Sequence, residues 1–284
     1  MTSFVDKSCQ GLSATGFHRI AYREWGTGAR TIVCVHGLTR NGRDFDILAA
    51  DLADRLGARV VCPDIVGRGG SGRLANPDNY GYPQYLADMA VLLARLDTEQ
   101  VDWVGTSMGG LIGMMLAAQP NSPIGRLVIN DVGPFIPRQA LERIGDYVGQ
   151  DPFFADMDGV EAYFRSHYAG FGALTDAQWR RMAETSSDAQ PGGGFRLAYD
   201  PDIARIFKNS AVTDVDLWPV WAAIRQPVLV VRGAQSDLLL ADTAERMTKE
   251  GPRASLYLVP DAGHAPALLA DDQVTAVRNF LAHD

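Results

Sequence analysis

The stretch Val101–Gly110, Val-Asp-Trp-Val-Gly-Thr-Ser-Met-Gly-Gly, limits what this chain can be more than any other. Val101 to Val104 has the β-branched and aromatic content of a short buried strand, and Leu111 to Ala118 is an apolar run without a β-turn signal, the pattern of a buried helix. Ser107 therefore falls on the turn between them. Gly105, Ser107 and Gly109 make the pattern G-x-S-x-G, in which a tight strand-to-helix turn lifts a serine hydroxyl above a sheet. Backbone and helix crowd that turn, so the positions beside the serine must be small. A helix beginning there also aims unpaired, partly positive N–H groups at any oxyanion formed nearby. That is a site for nucleophilic attack on a carbonyl. In a chain with 29 glycines the five-residue pattern is not decisive alone, and its surroundings must be read.

A chain of 284 residues suits one large domain, or a domain with an inserted lid, and buries an ample core without disulfides or metals. Cys9, Cys34 and Cys62 are odd in number and show no C-x-x-C spacing, which suggests neither a disulfide framework nor a zinc site. A net charge of -8 with no basic cluster argues against a nucleic-acid or anionic-membrane partner. There is no apolar stretch of membrane-spanning length and no basic-then-apolar leader in residues 1–16, so the expectation is a soluble, cytoplasmic protein. Oligomeric state is not legible.

In chain order, Phe17 to Trp25 and Thr31 to Val35 read as strands, the second ending in His36-Gly37-Leu38 and a polar loop at the carboxyl end of the strand, where open α/β sheets bind ligands. Asp44 to Leu56 has helical spacing with Asp44 as its cap. Arg59 to Cys62 is a strand leading into Asp64–Gly72. There Gly67, Gly69 and Gly72 match the dinucleotide pattern G-x-G-x-x-G, but the Asn, Pro, Gly and Tyr of residues 73–83 exclude the helix that pattern requires. Tyr82 to Leu96 is an amphipathic helix, and Arg126 to Asn130 a strand. From Pro134 to about Asp214 the alternation gives way to helical segments rich in aromatics, with a capping box at Thr175–Gln178, an N-cap at Asp200 and a flexible joint at Gly192 to Gly194. It resumes with strands at Pro227–Val231 and Ala254–Val259 and helices at Ala241–Lys249 and Asp271–Ala282. The expected division is a core of 1–133 and 215–284 with a helical lid at 134–214.

A serine hydroxyl needs a base, and an imidazole serves best when a carboxylate fixes its tautomer. Asp237, in the loop after the Pro227 strand, and His264, after the Ala254 strand, stand where these partners are needed. The order serine, acid, histidine is that of α/β-hydrolases. With His36-Gly37-Leu38, the Asp64 to Ser71 loop of form D-x-x-G-x-G-x-S, Gly105 to Gly110, Arg232 to Asp237 and Gly263-His264, the chain resembles a capped, esterase-like α/β-hydrolase over nearly all its length outside the lid. The resemblance implies a mostly parallel eight-stranded sheet flanked by helices. It implies Ser107 as nucleophile, His264 as base then acid, Asp237 as orienter, and the N–H groups of Leu38 and Met108 as oxyanion hole. Asp131, after the Arg126 strand, competes for the acid, since some members carry theirs there. His36 holds the oxyanion loop, while Arg40 and Arg43 are either solvated or hold an acidic group of the substrate. The expected activity is cleavage of small to medium apolar carboxylic esters without metal or cofactor. The alternatives are a thioesterase, a lactonase, a lyase resembling the menaquinone-pathway enzyme, or a non-catalytic ligand receptor.

Overall fold

The computed structural model describes residues 3–208 and 212–282; His283 lies outside them. The chain opens with the antiparallel pair β1 (Phe4–Ser13) and β2 (Gly16–Trp25). There follow β3 (Thr31–Val35), α1 (Asp46–Leu56), β4 (Arg59–Pro63), α2 (Tyr82–Arg95), β5 (Val101–Thr106), α3 (Met108–Ala117) and β6 (Ile124–Asn130). The chain then leaves the sheet for an insertion: β7 (Phe135–Ile136), α4 (Arg138–Tyr147), α5 (Met157–His167), α6 (Asp176–Thr185), β8 (Ser187–Ala189), β9 (Phe195–Leu197), α7 (Arg205–Lys208), β10 (Val215–Asp216) and α8 (Trp218–Ala223). It returns with β11 (Val228–Gly233), α9 (Ala241–Lys249), β12 (Ser255–Val259) and α10 (Asp271–Ala282).

Eight strands form one sheet in the order β1-β2-β4-β3-β5-β6-β11-β12, parallel from β4 to β12 and antiparallel at the β1 edge. The fully apolar strands sit in the middle because helices cover both faces. Val33, Val35 and Trp103 point into one core with Met89, Leu92 and Ile112, while Ile32, Cys34 and Val104 point into the other with Leu48, Leu52, Val277 and Leu281. The carboxyl ends of β3, β5, β6 and β11 lie side by side, which gathers the loops after them. Among the described residues no helix is long and apolar enough to cross a membrane.

Several expectations need correction. β1 gave no strand signal because it is an edge strand, mostly exposed, whose pairing with β2 supplies its order. Asp44 does not cap α1: Asn41 caps a 3-10 turn at Gly42–Phe45, and Asp44 instead accepts two hydrogen bonds from Arg40. Gly192 to Gly194 are no joint but the turn of the β8–β9 hairpin, where Gly193 and Gly194 take φ of 91° and 74°. Asp200 does cap, though the turn it opens is 3-10. β7 pairs with β10, and α8 follows before the chain rejoins the eight-stranded sheet at β11. No helix opens at Gly72, so the dinucleotide pattern is empty of its context; Asp64 instead pins that loop by accepting the N–H groups of Gly42 and Gly70.

Candidate active site

At the carboxyl end of β5 the backbone turns sharply into α3, and Ser107 takes φ 50° and ψ -113°, a conformation that costs a non-glycine residue about 1–3 kcal/mol. The glycines around it have the predicted cause. A Cβ on Gly105 would overlap the backbone of Gly109 and Gly110, and one on Gly109 would overlap Val35. The strain persists because the turn is over-determined: Ser107 N–H donates to the Asn130 carbonyl, and Trp103 Nε1–H to that of Gly109.

His264, on the loop after β12, places Nε2 3.0 Å from Ser107 Oγ and Nδ1 2.8 Å from Asp131 Oδ2. A carboxylate can only accept, so Nδ1 carries the proton and Nε2 is left to accept from the serine hydroxyl. Asp131 follows β6 directly and is fully buried. Its Oδ1 accepts the N–H of Gly233 at 2.9 Å, and its Oδ2 the hydroxyl of Ser236 at 2.6 Å. These bonds fix the carboxylate's orientation toward the imidazole.

The carboxylate beside the imidazole is thus Asp131, and the expectation for Asp237 is overturned. Ser236 is the physical reason. Its hydroxyl bonds Asp131 and accepts the N–H groups of Leu238 and Leu239, which curls the loop so that the next side chain faces outward. Asp237 is 54% exposed and forms a two-bond ion pair with Arg143 of α4 at 2.6 and 2.9 Å. It joins core to insertion at the surface.

Leu38, Ser107 and Met108 line one cavity of about 350 Å³. Met108 opens α3, so its N–H has no intrahelical acceptor. The Leu38 loop is held from below by His36: Nε2 accepts the Ile65 N–H at 2.9 Å and Nδ1 donates to Gly37 O at 2.7 Å. Complete burial, with Arg68 and Arg40 nearby, pushes the His36 imidazole down to about 3, so it stays neutral and structural. Sequence reasoning passed over Arg68. It is buried, donates to the carbonyls of Leu38 at 2.8 Å and Val66 at 2.7 Å, and sets Nη2 3.8 Å from Met108 Sδ. One guanidinium therefore touches both proposed oxyanion residues. Its position inside Gly67-Arg68-Gly69 was the available signal.

The rest of the cavity is mostly apolar, with Leu111 and Val132 from the core and Ile136, Leu141, Ile144 and Phe207 from the insertion. Most aromatics of the insertion lie outside this cavity and pack on one another. Phe154, Tyr163, Phe164, Tyr168 and Phe171 pack ring to ring, and His167 stacks on Tyr163.

A model of the α/β hydrolase fold matches residues 30–271. The chain belongs to the α/β-hydrolase family. It is 47% identical over 281 residues, 95% of each chain, to 3-hydroxybutyrate-oligomer hydrolase of Cupriavidus necator, and 28% identical over 263 residues, 91% of this chain and 90% of the other, to 2-(acetamidomethylene)succinate hydrolase of Mesorhizobium japonicum. Among solved structures it is similar to an α/β hydrolase from Novosphingobium aromaticivorans, with a TM-score of 0.87 and 36% identity over 99% of both chains. It is a hydrolase of esterase type.

Proposed function

We propose that the protein hydrolyses short oligomers of 3-hydroxy acids through an acyl-enzyme on Ser107. The observation that carries this is the unbroken hydrogen-bonded line Ser107–His264–Asp131 opening into an apolar cavity, in a chain nearly half identical to a 3-hydroxybutyrate-oligomer hydrolase. His264 Nε2 takes the hydroxyl proton as Oγ attacks the ester carbonyl. The tetrahedral oxyanion is held by the N–H groups of Leu38 and Met108, each such donor typically worth about 100- to 1000-fold. Collapse breaks the acyl C–O bond, and His264 gives its proton to the departing alcohol. Water, deprotonated by the same nitrogen, then frees the acid and restores the serine. Asp131 stays ionised throughout, holding Nδ1–H and stabilising the imidazolium. Residues 134–214 serve as a cap whose apolar side chains exclude water from the acyl group. The protein works on this reading in the cytoplasm, where its free thiols remain reduced.

The test is release of monomer from 3-hydroxybutyrate dimer and trimer, beside p-nitrophenyl butyrate as a generic ester. Turnover of both classes, with preference for the oligomers, is expected. Failure to cleave the oligomers while the generic ester is cleaved would remove the substrate class, and inertness toward both would remove the reaction.

A further inference from the structure

A second cleft shares no lining residue with the acyl cavity, and part of its wall comes from chain next to both reacting residues. Its wall includes Thr106, next to Ser107, and Pro266, two residues after His264. Arg43 of the core and Gln178 and Arg181 of α6 close it from the other side. Its volume, about 40 Å³, exceeds the roughly 10–15 Å³ that one water needs and suits a small polar group.

Two arginines, Arg43 and Arg181, and two carboxylates, Asp44 and Asp46, line this cleft together. Asp46, buried at the start of α1, accepts Nη1 of Arg43 at Oδ1 and Nη2 of Arg181 at Oδ2, both at 2.5 Å. A third guanidinium, Arg23, lies 3.6 Å from the same carboxylate and is also bound to Asp6. Among the described residues, the side chains of Arg43 and Arg181 hold no other hydrogen-bond partner, so several donors of each planar fork are open. Behind the wall, Arg40 is 3% exposed, gives Nε and Nη2 to Asp44, which itself lines the cleft, and faces the Tyr168 side chain. Its guanidinium lies 6.0 Å from the ring centroid of Phe171, another cleft residue.

We propose that this cleft binds the free carboxylate of the departing unit through Arg43 and Arg181, so that the enzyme removes the carboxy-terminal hydroxy acid of an oligoester. The inference rests on the ester-hydrolase reading above. At the last ester bond of such a chain the acyl part is uncharged and suits the aliphatic cavity, whereas the alcohol that leaves carries a carboxylate. Guanidinium forks match that group in plane and charge. The two cavities divide the substrate by polarity on either side of the bond that breaks.

The experiment compares kcat/KM for 3-hydroxybutyrate trimer with that for its methyl ester, in the wild type and in the Arg43→Gln and Arg181→Gln variants. The wild type should prefer the free acid by at least about tenfold, the effect of one charge-assisted hydrogen bond. Each variant should bring that ratio toward one, chiefly through KM for the acid. The ratio is taken within one preparation, so a partly folded variant does not distort it. A wild-type ratio near one, or a ratio unchanged in both variants, overturns the carboxylate site while leaving the hydrolase reading in place. Inertness toward the trimer, its methyl ester and p-nitrophenyl butyrate together would overturn both.

Discussion

Replacing Asp131 by Asn keeps the shape of the side chain and removes only its charge and half its accepting capacity. The amide oxygen would remain opposite the Gly233 N–H, which sets the NH2 group toward Ser236 and His264 Nδ1. A donor in that position forces Nδ1 to accept, the proton moves to Nε2, and the imidazole then points a hydrogen at Ser107 Oγ instead of a lone pair. The base is lost although every atom is nearly in place. The expected fall in kcat is about 10⁴-fold, or roughly 5–6 kcal/mol of transition-state stabilisation. Asp237→Asn breaks a half-exposed ion pair with Arg143, worth about 0–1 kcal/mol, and should leave kcat within about twofold. Initial rates on p-nitrophenyl butyrate at pH 8, with circular dichroism to establish folding, make the comparison. A folded Asp131→Asn enzyme within tenfold of the wild type, beside a crippled Asp237→Asn enzyme, would refute this assignment.

Other consequences follow from the groups beneath the oxyanion loop. Arg68→Met leaves the Leu38 and Val66 carbonyls short of a donor and frees the loop to shift; kcat should drop by about 10- to 100-fold with little change in KM. An equal kcat would detach Arg68 from the chemistry. His36 is held neutral in the fold while an unfolded histidine protonates below about 6.5, so the unfolded chain binds the extra proton as pH falls. Its contribution is complete above that value and is lost between it and about 3, at up to roughly 1.4 kcal/mol per pH unit. The stability difference between wild type and His36→Asn, from urea unfolding, should therefore shrink from pH 6 to pH 4; a constant difference would contradict the buried neutral imidazole.

The parts of the fold that could be read from residues alone are those in which one physical demand dominates. Thr31–Val35 and Val101–Thr106 are covered by helices on both faces, so their apolar runs announce buried strands, and the crowded elbow requires glycine at 105 and 109. β1 escaped notice because an exposed edge strand needs no such pattern. The choice between two carboxylates escaped for a different reason. Asp131 and Asp237 both follow parallel strands, and the deciding element is a neighbour's hydroxyl: Ser236 takes the inward position and binds the acid. The cavity lining was equally hidden. Most aromatic side chains of the insertion satisfy one another in edge and stacked contacts, leaving mainly aliphatic ones, with Phe207 among them, to face the serine.

The central claim is that Ser107 forms the covalent intermediate, and stoichiometric trapping tests it most directly. An alkyl fluorophosphonate should inactivate the enzyme with one adduct per chain, located by peptide mass spectrometry on the fragment containing Ser107. The Ser107→Ala variant should take up none and hydrolyse no ester. Full ester turnover by that variant, or by wild-type enzyme with the adduct in place on Ser107, would contradict the account.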